Sequence, residues 1–178
     1  MKNKIVRDID VHLYPGEVYI VKKPMIISTP LGSCISIVLI SEIHKISAIS
    51  HAQLPVDNSE AQCSAACPVK CNRHVSKTKK LKYVTCSTSF MLEKLISLGV
   101  KKREIKVKIV GGSHAFNTPN LKSVGEQNIE IAHEMVEYHK LNLVGEDTGG
   151  KSGRTIYFNS STGKVLIRNH SDNEVKML

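Results

Sequence analysis

Residues 34–50 read CISIVLISEIHKISAIS and place two short apolar runs on either side of a polar segment. The runs at 34–40 and 45–50 are rich in Ile and Val and have the length of β-strands. Residues 41–44 between them, which read SEIH, favour a tight turn. The stretch therefore predicts an antiparallel β-hairpin, and the rest of the fold is predicted outward from it.

Other short apolar runs lie on both sides of this hairpin. Two of them are separated by NSSTG, in which Gly163 allows the positive φ that a hairpin turn needs. The predicted strands outside 34–50 are 17–21, 24–29, 105–110, 141–146, 155–158 and 164–168.

Two segments show helical spacing instead. Apolar residues recur every three or four positions from Val84 to Leu98, and Gly99 is a C-terminal stop. A second helix is predicted over 125–140. Its buried side would carry Ile129, Ala132, Met135 and Val136. The elements together predict an α/β (α+β) sandwich: a mixed, largely antiparallel β-sheet with two main amphipathic helices packed on it.

The length and the N-terminal sequence indicate the number of domains and the cellular compartment. The 178 residues predict a single domain over 1–178. No run of eighteen apolar residues is present, so we expect no membrane insertion. Arg7, Asp8 and Asp10 occupy the place where a signal peptide needs an apolar core, which predicts a cytoplasmic protein. In that compartment the five cysteines are expected to be thiols, metal ligands or catalysts.

The charge balance is basic, with 25 Lys and Arg against 16 Asp and Glu and a net charge of +9. The lysines concentrate at 77–82 and 101–108. The chain has no Trp and only five Tyr and three Phe, which argues against an aromatic platform for nucleic acid. We expect no nucleic-acid partner, and the basic residues form either a solvated face or a surface that docks on an acidic protein.

Cys34 has surroundings that suit a nucleophile. It follows the turn Leu31-Gly32-Ser33, which can aim backbone N–H groups at an oxyanion. In the predicted hairpin, His51 lies at the same open end as Cys34 and could act as its base. Ser28 precedes the turn, and its hydroxyl could reach the same place. The alternative is that Cys34 is a small buried residue at a strand end and that His51 is merely exposed.

The sequence resembles one family over residues 15–168, the chemoreceptor glutamine deamidases called CheD. The resemblance starts with LGSC at 31–34, followed seventeen residues after the cysteine by His51 in HAQLP. It continues in order through KIVGGSHAF at 108–116, VGEQN at 124–128 and EDTGGKSGRTIYFNSSTGKVLIR at 146–168.

The resemblance implies roles for three residues. Cys34 matches the family nucleophile and His51 its general base. The third family residue is a Thr six positions before the cysteine, and here that position is Ser28, with Thr29 beside it. The implied reaction is attack of the Cys34 thiolate on a glutamine carboxamide, release of ammonia with a proton from His51, and hydrolysis of the thioester.

The resemblance also implies a cellular role. The protein would be a cofactor-independent deamidase that acts on chemoreceptors in chemotaxis adaptation, with a CheC-type phosphatase as a partner. One alternative is a receptor- or CheC-binding adaptor with little catalysis. Another is a redox or metal sensor that uses the cysteines between 63 and 71.

Two further motifs are considered as sites. His114 in GGSHAF is a second possible base, although Gly111-Gly112 favours a tight turn after a strand. The segment DTGGKSG at 147–153 lacks the spacing of a phosphate-binding loop and is interpreted as a turn. The resemblance implies that this segment borders the substrate cleft.

The polar segment at about 57–80 departs from the family and is interpreted as a cysteine-rich surface insertion. Its spacing is C-x3-C-x3-C-x2-H, formed by Cys63, Cys67, Cys71 and His74. Such ligands suit Zn²⁺ or an iron–sulfur cluster. The spacing is not a standard one, and Pro68 does not favour a preformed tetrahedral site, so we expect no metal.

Overall fold

The computed structural model describes residues 8–57, 60–61, 72–73, 81–114 and 121–178. Within these residues the helices are α1 (Val84–Ser97) and α2 (Val124–Tyr138), with a 3-10 turn at Lys102–Glu104. The strands are β1 (Val11–His12), β2 (Val18–Val21), β3 (Ile26–Leu31), β4 (Ile35–Ser41), β5 (Ile46–Ser50), β6 (Glu60–Ala61), β7 (Asn72–Arg73), β8 (Lys106–Gly111), β9 (Asn142–Thr148), β10 (Arg154–Asn159), β11 (Lys164–Asn169) and β12 (Val175–Met177).

The strands form two five-stranded sheets and one small pair. The first sheet has the order β1-β3-β10-β11-β12, and the second has the order β2-β5-β4-β8-β9. The pairs β1–β3 and β8–β9 are parallel, and the other pairs within these two sheets are antiparallel. The predicted α+β class with a mixed, largely antiparallel sheet is confirmed, and the strands are divided between two sheets.

Two hydrophobic cores lie between the layers of the fold. One lies between the two sheets and includes Ile27 and Phe158 of the first sheet and Val38 of the second. The other lies between the second sheet and the helices and includes Ile37 of β4 with Leu95 of α1. Every residue of β4 is buried, because both faces of the second sheet are covered. Burial on both faces explains why five of the seven residues of β4 are apolar and none is charged.

The hairpin predicted from residues 34–50 is confirmed. β4 and β5 pair antiparallel with Val38 opposite Ile49, and an isolated bridge continues the ladder to Ile35 and Ala52. The N–H groups of this last pair donate to each other's carbonyls at 2.9 and 2.8 Å. The ladder therefore ends at Ile35 and Ala52. Cys34 lies just outside this last pair, and His51 lies just inside it.

Both predicted helices are present, and local signals define their ends. Gly99 follows α1 with φ of 91°, as a C-terminal stop requires. At the start of α2 the Ser123 hydroxyl accepts the Glu126 N–H, and the Glu126 carboxylate accepts the Ser123 N–H. No helix in the described ranges has the length and hydropathy needed to cross a membrane.

Candidate active site

Cys34 and His51 lie on the same face of the second sheet. The register set by Val38–Ile49 and Ile35–Ala52 puts His51 opposite Ser36, which makes it a diagonal neighbour of Cys34. Cys34 is half-buried and packs against the core between the sheets, whereas the neighbouring Ile35 belongs to the core on the helix side. His51 is buried, with 2% of its surface exposed.

The first sheet supplies the partner of His51. Thr29, fully buried in β3, has its Oγ1 2.6 Å from His51 Nδ1, and the same hydroxyl donates to the Leu13 carbonyl at 2.7 Å. A hydroxyl has one proton to donate, so Nδ1–H of the imidazole donates to Thr29 Oγ1. This assigns the neutral tautomer that keeps a lone pair on Nε2, the nitrogen that a general base uses.

His51 Nε2 is buried without a hydrogen-bond partner among the described residues. The thiol of Cys34 is therefore not hydrogen-bonded to the imidazole in this structure. Catalytic hydrogen bonds often tighten only when substrate is bound. Nε2 consequently has no competing protein donor in the described part of the chain.

The sequence prediction placed Ser28 at the contact with His51, and the structure places Thr29 there instead. Side chains alternate along a strand, and Thr29 shares the inward face of β3 with Ile27 and Leu31 of the inter-sheet core. Ser28 points to the opposite face, where its Oγ lies 2.8 Å from His12 Nδ1. The residue in contact with His51 is therefore one position later than predicted, and it lies on the opposite face of β3 from Ser28.

Burial favours the neutral forms of both groups. It raises the pKa of the Cys34 thiol, and the backbone N–H of Cys34 opposes this shift. It lowers the pKa of His51, against the opposing effects of the Leu13 carbonyl and the Glu17 carboxylate. Burial thus disfavours the thiolate and the imidazolium relative to an exposed cysteine and an exposed histidine.

A glycine pair braces the turn that carries Cys34. The Gly112 N–H donates to the Cys34 carbonyl at 2.8 Å, and the Ser113 N–H donates to the Gly32 carbonyl at 2.9 Å. A Cβ on Gly111 would lie 2.4 Å from the Cys34 carbonyl oxygen, at a φ of 120°. Only glycine fits there, so Gly111 and Gly112 are explained by support of residues 31–34, the turn that carries the predicted nucleophile (the nucleophile turn).

The glycine-rich segment at 147–153 lies against this brace. Its Gly149 N–H donates to Gly111 at 2.9 Å, and Gly150 accepts the His114 N–H at 2.8 Å. The buried Arg154 guanidinium donates to the Asp147 carbonyl at 2.9 Å and also binds the Asp147 carboxylate and the Gly149 carbonyl. These internal bonds agree with the interpretation of the segment as a structural turn.

His114, the alternative base, contacts the glycine-rich segment through its backbone. Its Nδ1 is buried without a hydrogen-bond partner among the described residues. A cavity of about 230 Å³ beside Arg154 is lined by 147–150 and by residues of β11 and β12, and neither Cys34 nor His51 lines it. This cavity is therefore separate from the Cys34–His51 end of the second sheet.

The two basic clusters differ in position relative to Cys34. The carbonyl of Lys82 accepts N–H groups from Gln53 and Leu54, directly after His51. Residues 101–103 precede β8, whose first residue pairs with Ile40 at the far end of β4. Five strand steps of about 3.3 Å separate that end from Ile35, or roughly 17 Å. Lys77, Lys79 and Lys80 lie outside the described residues.

The candidate metal ligands of the cysteine-rich insertion belong to a separate part of the sequence from this site. Cys63, Cys67, Cys71 and His74 lie outside the described residues, as does most of the segment at 57–80. Within the described ranges, no three His, Cys, Asp or Glu side chains are grouped so that they could hold a metal ion. The expectation of no metal on the insertion stays a prediction.

Sequence reasoning did not identify Asn128. This residue of α2 is fully buried, and its Nδ2 donates to the carbonyls of Ser33 at 2.9 Å and Gln53 at 3.1 Å. The helical spacing could have identified Asn128 as a buried polar residue. Asn128 lies one turn before Ala132 on the buried side of α2, where a polar residue needs partners.

Known proteins of one family are similar in sequence to this chain. A profile described as "CheD chemotactic sensory transduction" matches residues 67–169. A "Probable chemoreceptor glutamine deamidase CheD" of Thermococcus kodakarensis is 34% identical over 163 residues, covering 90% of this chain and 92% of the relative. This chain belongs to the CheD family. A CheD protein of Pyrococcus horikoshii, with the same description, is 34% identical over 90% of this chain and 92% of its own length.

A more distant CheD relative gives a similar result. "Probable chemoreceptor glutamine deamidase CheD 2" of Geobacter sulfurreducens is 31% identical over 159 residues, covering 89% of this chain and 88% of its own length. The CheD profile begins after Cys34 and His51. A span of 90% of 178 residues leaves about 18 outside it, so the pairwise similarity extends over both residues.

Proposed function

We propose that this CheD protein is a cysteine-dependent protein-glutamine deamidase that converts glutamine side chains of chemoreceptors to glutamate. The observation that carries the proposal is the contact of His51 Nδ1 with Thr29 Oγ1, which leaves Nε2 without a hydrogen-bond partner among the described residues, on the face of the sheet that carries Cys34. The printed descriptions of the relatives, probable chemoreceptor glutamine deamidases, supply the substrate class.

Acylation begins with proton transfer from the thiol. Cys34 Sγ gives its proton to His51 Nε2 and forms a bond to the carbon of the glutamine carboxamide. The negative charge moves to the carboxamide oxygen. We place this oxyanion at the Cys34 N–H, which makes no backbone–backbone hydrogen bond among the described residues and lies against the thiol.

Ammonia then leaves with the same proton. The imidazolium of His51 delivers it from Nε2 to the amide nitrogen as the C–N bond breaks, which leaves a γ-glutamyl thioester on Cys34. Nε2 next takes a proton from water, the resulting hydroxide attacks the thioester, and the C–S bond breaks. The proton returns to the sulfur, and the product is glutamate.

Thr29 accepts a hydrogen bond from His51 in both protonation states of the ring. Its proton is committed to the Leu13 carbonyl, so its oxygen accepts Nδ1–H in the imidazole and in the imidazolium. The ring orientation therefore stays constant through the cycle, and only Nε2 exchanges a proton. This is the orienting role of the third group in nucleophile–base pairs.

The cellular setting follows from the family resemblance. We infer that the protein acts in the cytoplasm on receptor adaptation regions, without a cofactor, and that a CheC-type phosphatase is a partner. The thiol and imidazole supply the nucleophile, acid and base that the reaction needs, so the described site is chemically sufficient for amide hydrolysis.

The test is intact-mass analysis of a receptor cytoplasmic fragment after incubation with the protein. Each deamidation adds about one dalton, since an amide NH₂ is replaced by OH. Cys34→Ala and His51→Ala should each abolish the mass gain. Cys86→Ala, a change at the half-buried cysteine of α1, is the matched control and should preserve it.

A folded Cys34→Ala variant that still forms product would rule out the deamidase proposal. A receptor-binding adaptor would then be the better description. The double variant Cys34→Ala/His51→Ala should be no slower than either single variant, because the two residues act as one unit.

A further inference from the structure

The two strands that carry the site separate directly beside Cys34. The last ladder pair is Ile35–Ala52. If the ladder continued, Leu54 N–H would face Ser33, but the N–H groups of Gln53 and Leu54 both donate to the Lys82 carbonyl, at 2.7 and 3.1 Å. The opening beside the thiol thus leaves the Ser33 carbonyl without its partner from the ladder.

Asn128 supplies that partner from the helix layer. Its Nδ2 carries two N–H groups, and they donate to Ser33 at 2.9 Å and to Gln53 at 3.1 Å. Ser33 is bonded directly to Cys34, and Gln53 is two residues after His51. One side-chain amide therefore spans the gap between the nucleophile turn and the segment of the base.

The helix that carries Asn128 is held close to the same turn. A Cβ on Gly125 would lie 2.5 Å from the Ser113 carbonyl oxygen, so α2 approaches the brace as closely as glycine permits. The Ser123–Glu126 cap fixes the first turn of this helix. Asn128 is one turn of helix from that anchor and is fully buried, which restricts where its amide can lie.

We propose that Asn128 is a positioning residue that sets the separation of Cys34 and His51 by bridging the opened strand pair. The proposal rests on the proposed deamidase function. Asn128 touches neither reacting group and acts through the backbone of Ser33 and Gln53. Its Oδ1 has no hydrogen-bond partner among the described residues, so its polar contacts run through Nδ2.

The first test compares two isosteric changes on one helix. Asn128→Asp replaces the donor with a carboxylate that repels both carbonyls. Gln127→Glu makes the same chemical change one residue away, where Nε2 donates to the Lys122 carbonyl at 2.9 Å on an exposed surface. We expect Asn128→Asp to lower kcat about tenfold or more with little change in KM, because the turn that carries Cys34 loses the donor that holds it beside the segment of His51. Gln127→Glu should retain wild-type kinetics.

The second test does not depend on deamidation. Alkylation of Cys34 by iodoacetamide, followed by peptide mass mapping, gives a pH profile for this thiol in each variant. Asn128→Ala removes the donors without adding charge, so the nucleophile turn loosens, the thiol loses burial, and the profile moves to lower pH. Gln127→Ala should leave the profile in place. If Asn128→Ala does not fold, Asn128→Ser, which keeps one donor, provides the same measurement.

The outcomes separate the two proposals. A folded Asn128 variant with wild-type kcat and an unchanged alkylation profile would overturn the positioning role, even if its melting temperature falls. Wild-type protein that never deamidates, together with a shifted profile in Asn128→Ala, would overturn the proposed function and support the bridging role of Asn128.

Discussion

Thr29 of the first sheet holds His51 of the second, with 2.6 Å between Oγ1 and Nδ1. The two residues are 22 positions apart and meet only because the sheets pack face to face. The imidazole is therefore oriented by tertiary packing, and the hydroxyl that orients it is itself fixed by the Leu13 carbonyl.

Removal of the Thr29 hydroxyl should slow catalysis without abolishing it. We expect Thr29→Ala to lower kcat by about 10- to 100-fold, since the lost hydrogen bond to the imidazolium is worth about 1.5–3 kcal/mol. Thr29→Ser restores the hydroxyl and should recover most of the rate. The measurement is the initial rate of mass gain on a receptor fragment.

Ser28→Ala is the matched control for Thr29. It removes a neighbouring buried hydroxyl that contacts His12 on the other face of β3. We expect its kcat to stay within about threefold of wild type, as for loss of one neutral hydrogen bond away from the site. The reverse ranking, with Ser28→Ala slower than Thr29→Ala, would contradict the assignment of the orienting group.

The pH dependence should reveal a neutral resting pair. Burial disfavours charge, so it raises the pKa of Cys34 and lowers the pKa of His51. Alkylation of Cys34 should then begin at higher pH than alkylation of a cysteine in a short peptide. The acid limb of kcat/KM, where His51 becomes protonated, should lie below the pH expected for an exposed histidine.

A different result would follow from a thiolate–imidazolium pair at rest. Cys34 would then react rapidly near pH 6, and His51→Ala would remove that reactivity. Such a plateau at low pH, mapped to the peptide that contains Cys34, would contradict the neutral pair.

Gly111 should be required for both stability and rate. In Gly111→Ala the new Cβ would meet the Cys34 carbonyl oxygen at 2.4 Å, and φ is 120°. We expect a loss of stability of at least about 1–3 kcal/mol in urea unfolding and a reduced kcat in the folded fraction. Gly99→Ala is the matched control, because φ is 91° there but no atom lies within 4 Å of the added Cβ.

Gly99→Ala should therefore lose stability through its backbone conformation alone and keep its kcat. Equal effects of the two alanines on kcat would show that the brace does not act on the nucleophile turn.

Charge near the site should accelerate encounter with an acidic receptor segment. Lys82→Glu should raise KM with little change in kcat at saturation, and added salt should reduce the difference from wild type. The Debye length is about 8 Å at physiological ionic strength, so distant charges contribute little. The measurement is the salt dependence of KM on receptor fragments.

The cluster at 101–103 provides the control. It lies at the end of the second sheet opposite Cys34, so charge reversal of Lys101, Lys102 and Arg103 should leave KM unchanged. If this triple variant has the larger effect, the docking surface lies away from the Cys34 end.

The sequence predicted most elements of this fold because their signals are local. β4, β5, α1 and the β10–β11 hairpin each follow from apolar spacing and a turn residue within a few positions. β1 and β12 were not predicted. Each is a short strand at an edge of the first sheet, held mainly by backbone pairing with a neighbour rather than by an apolar run of its own.

The site was predicted in part for the same reason. Cys34 and His51 belong to one hairpin, so their proximity followed from the register of adjacent strands. The contacts of Thr29 and Asn128 join different layers, and local spacing does not say which hydroxyl or amide will face a partner 22 or 95 residues away. The alternation of side chains along β3 could have identified Thr29, because Thr29 lies on the same face of the strand as the apolar residues Ile27 and Leu31.

The crossover from β8 through α2 to β9 contains the residues that support the site, and it is separate in sequence from Cys34 and His51. It carries the brace, Asn128 and the approach to the glycine-rich segment, all within residues 106–150. The family profile at 67–169 covers this scaffold but neither Cys34 nor His51. Substitution of Cys34 or His51 would therefore leave the match at 67–169 intact, so membership by the profile and retention of the pair are separate properties of a CheD protein.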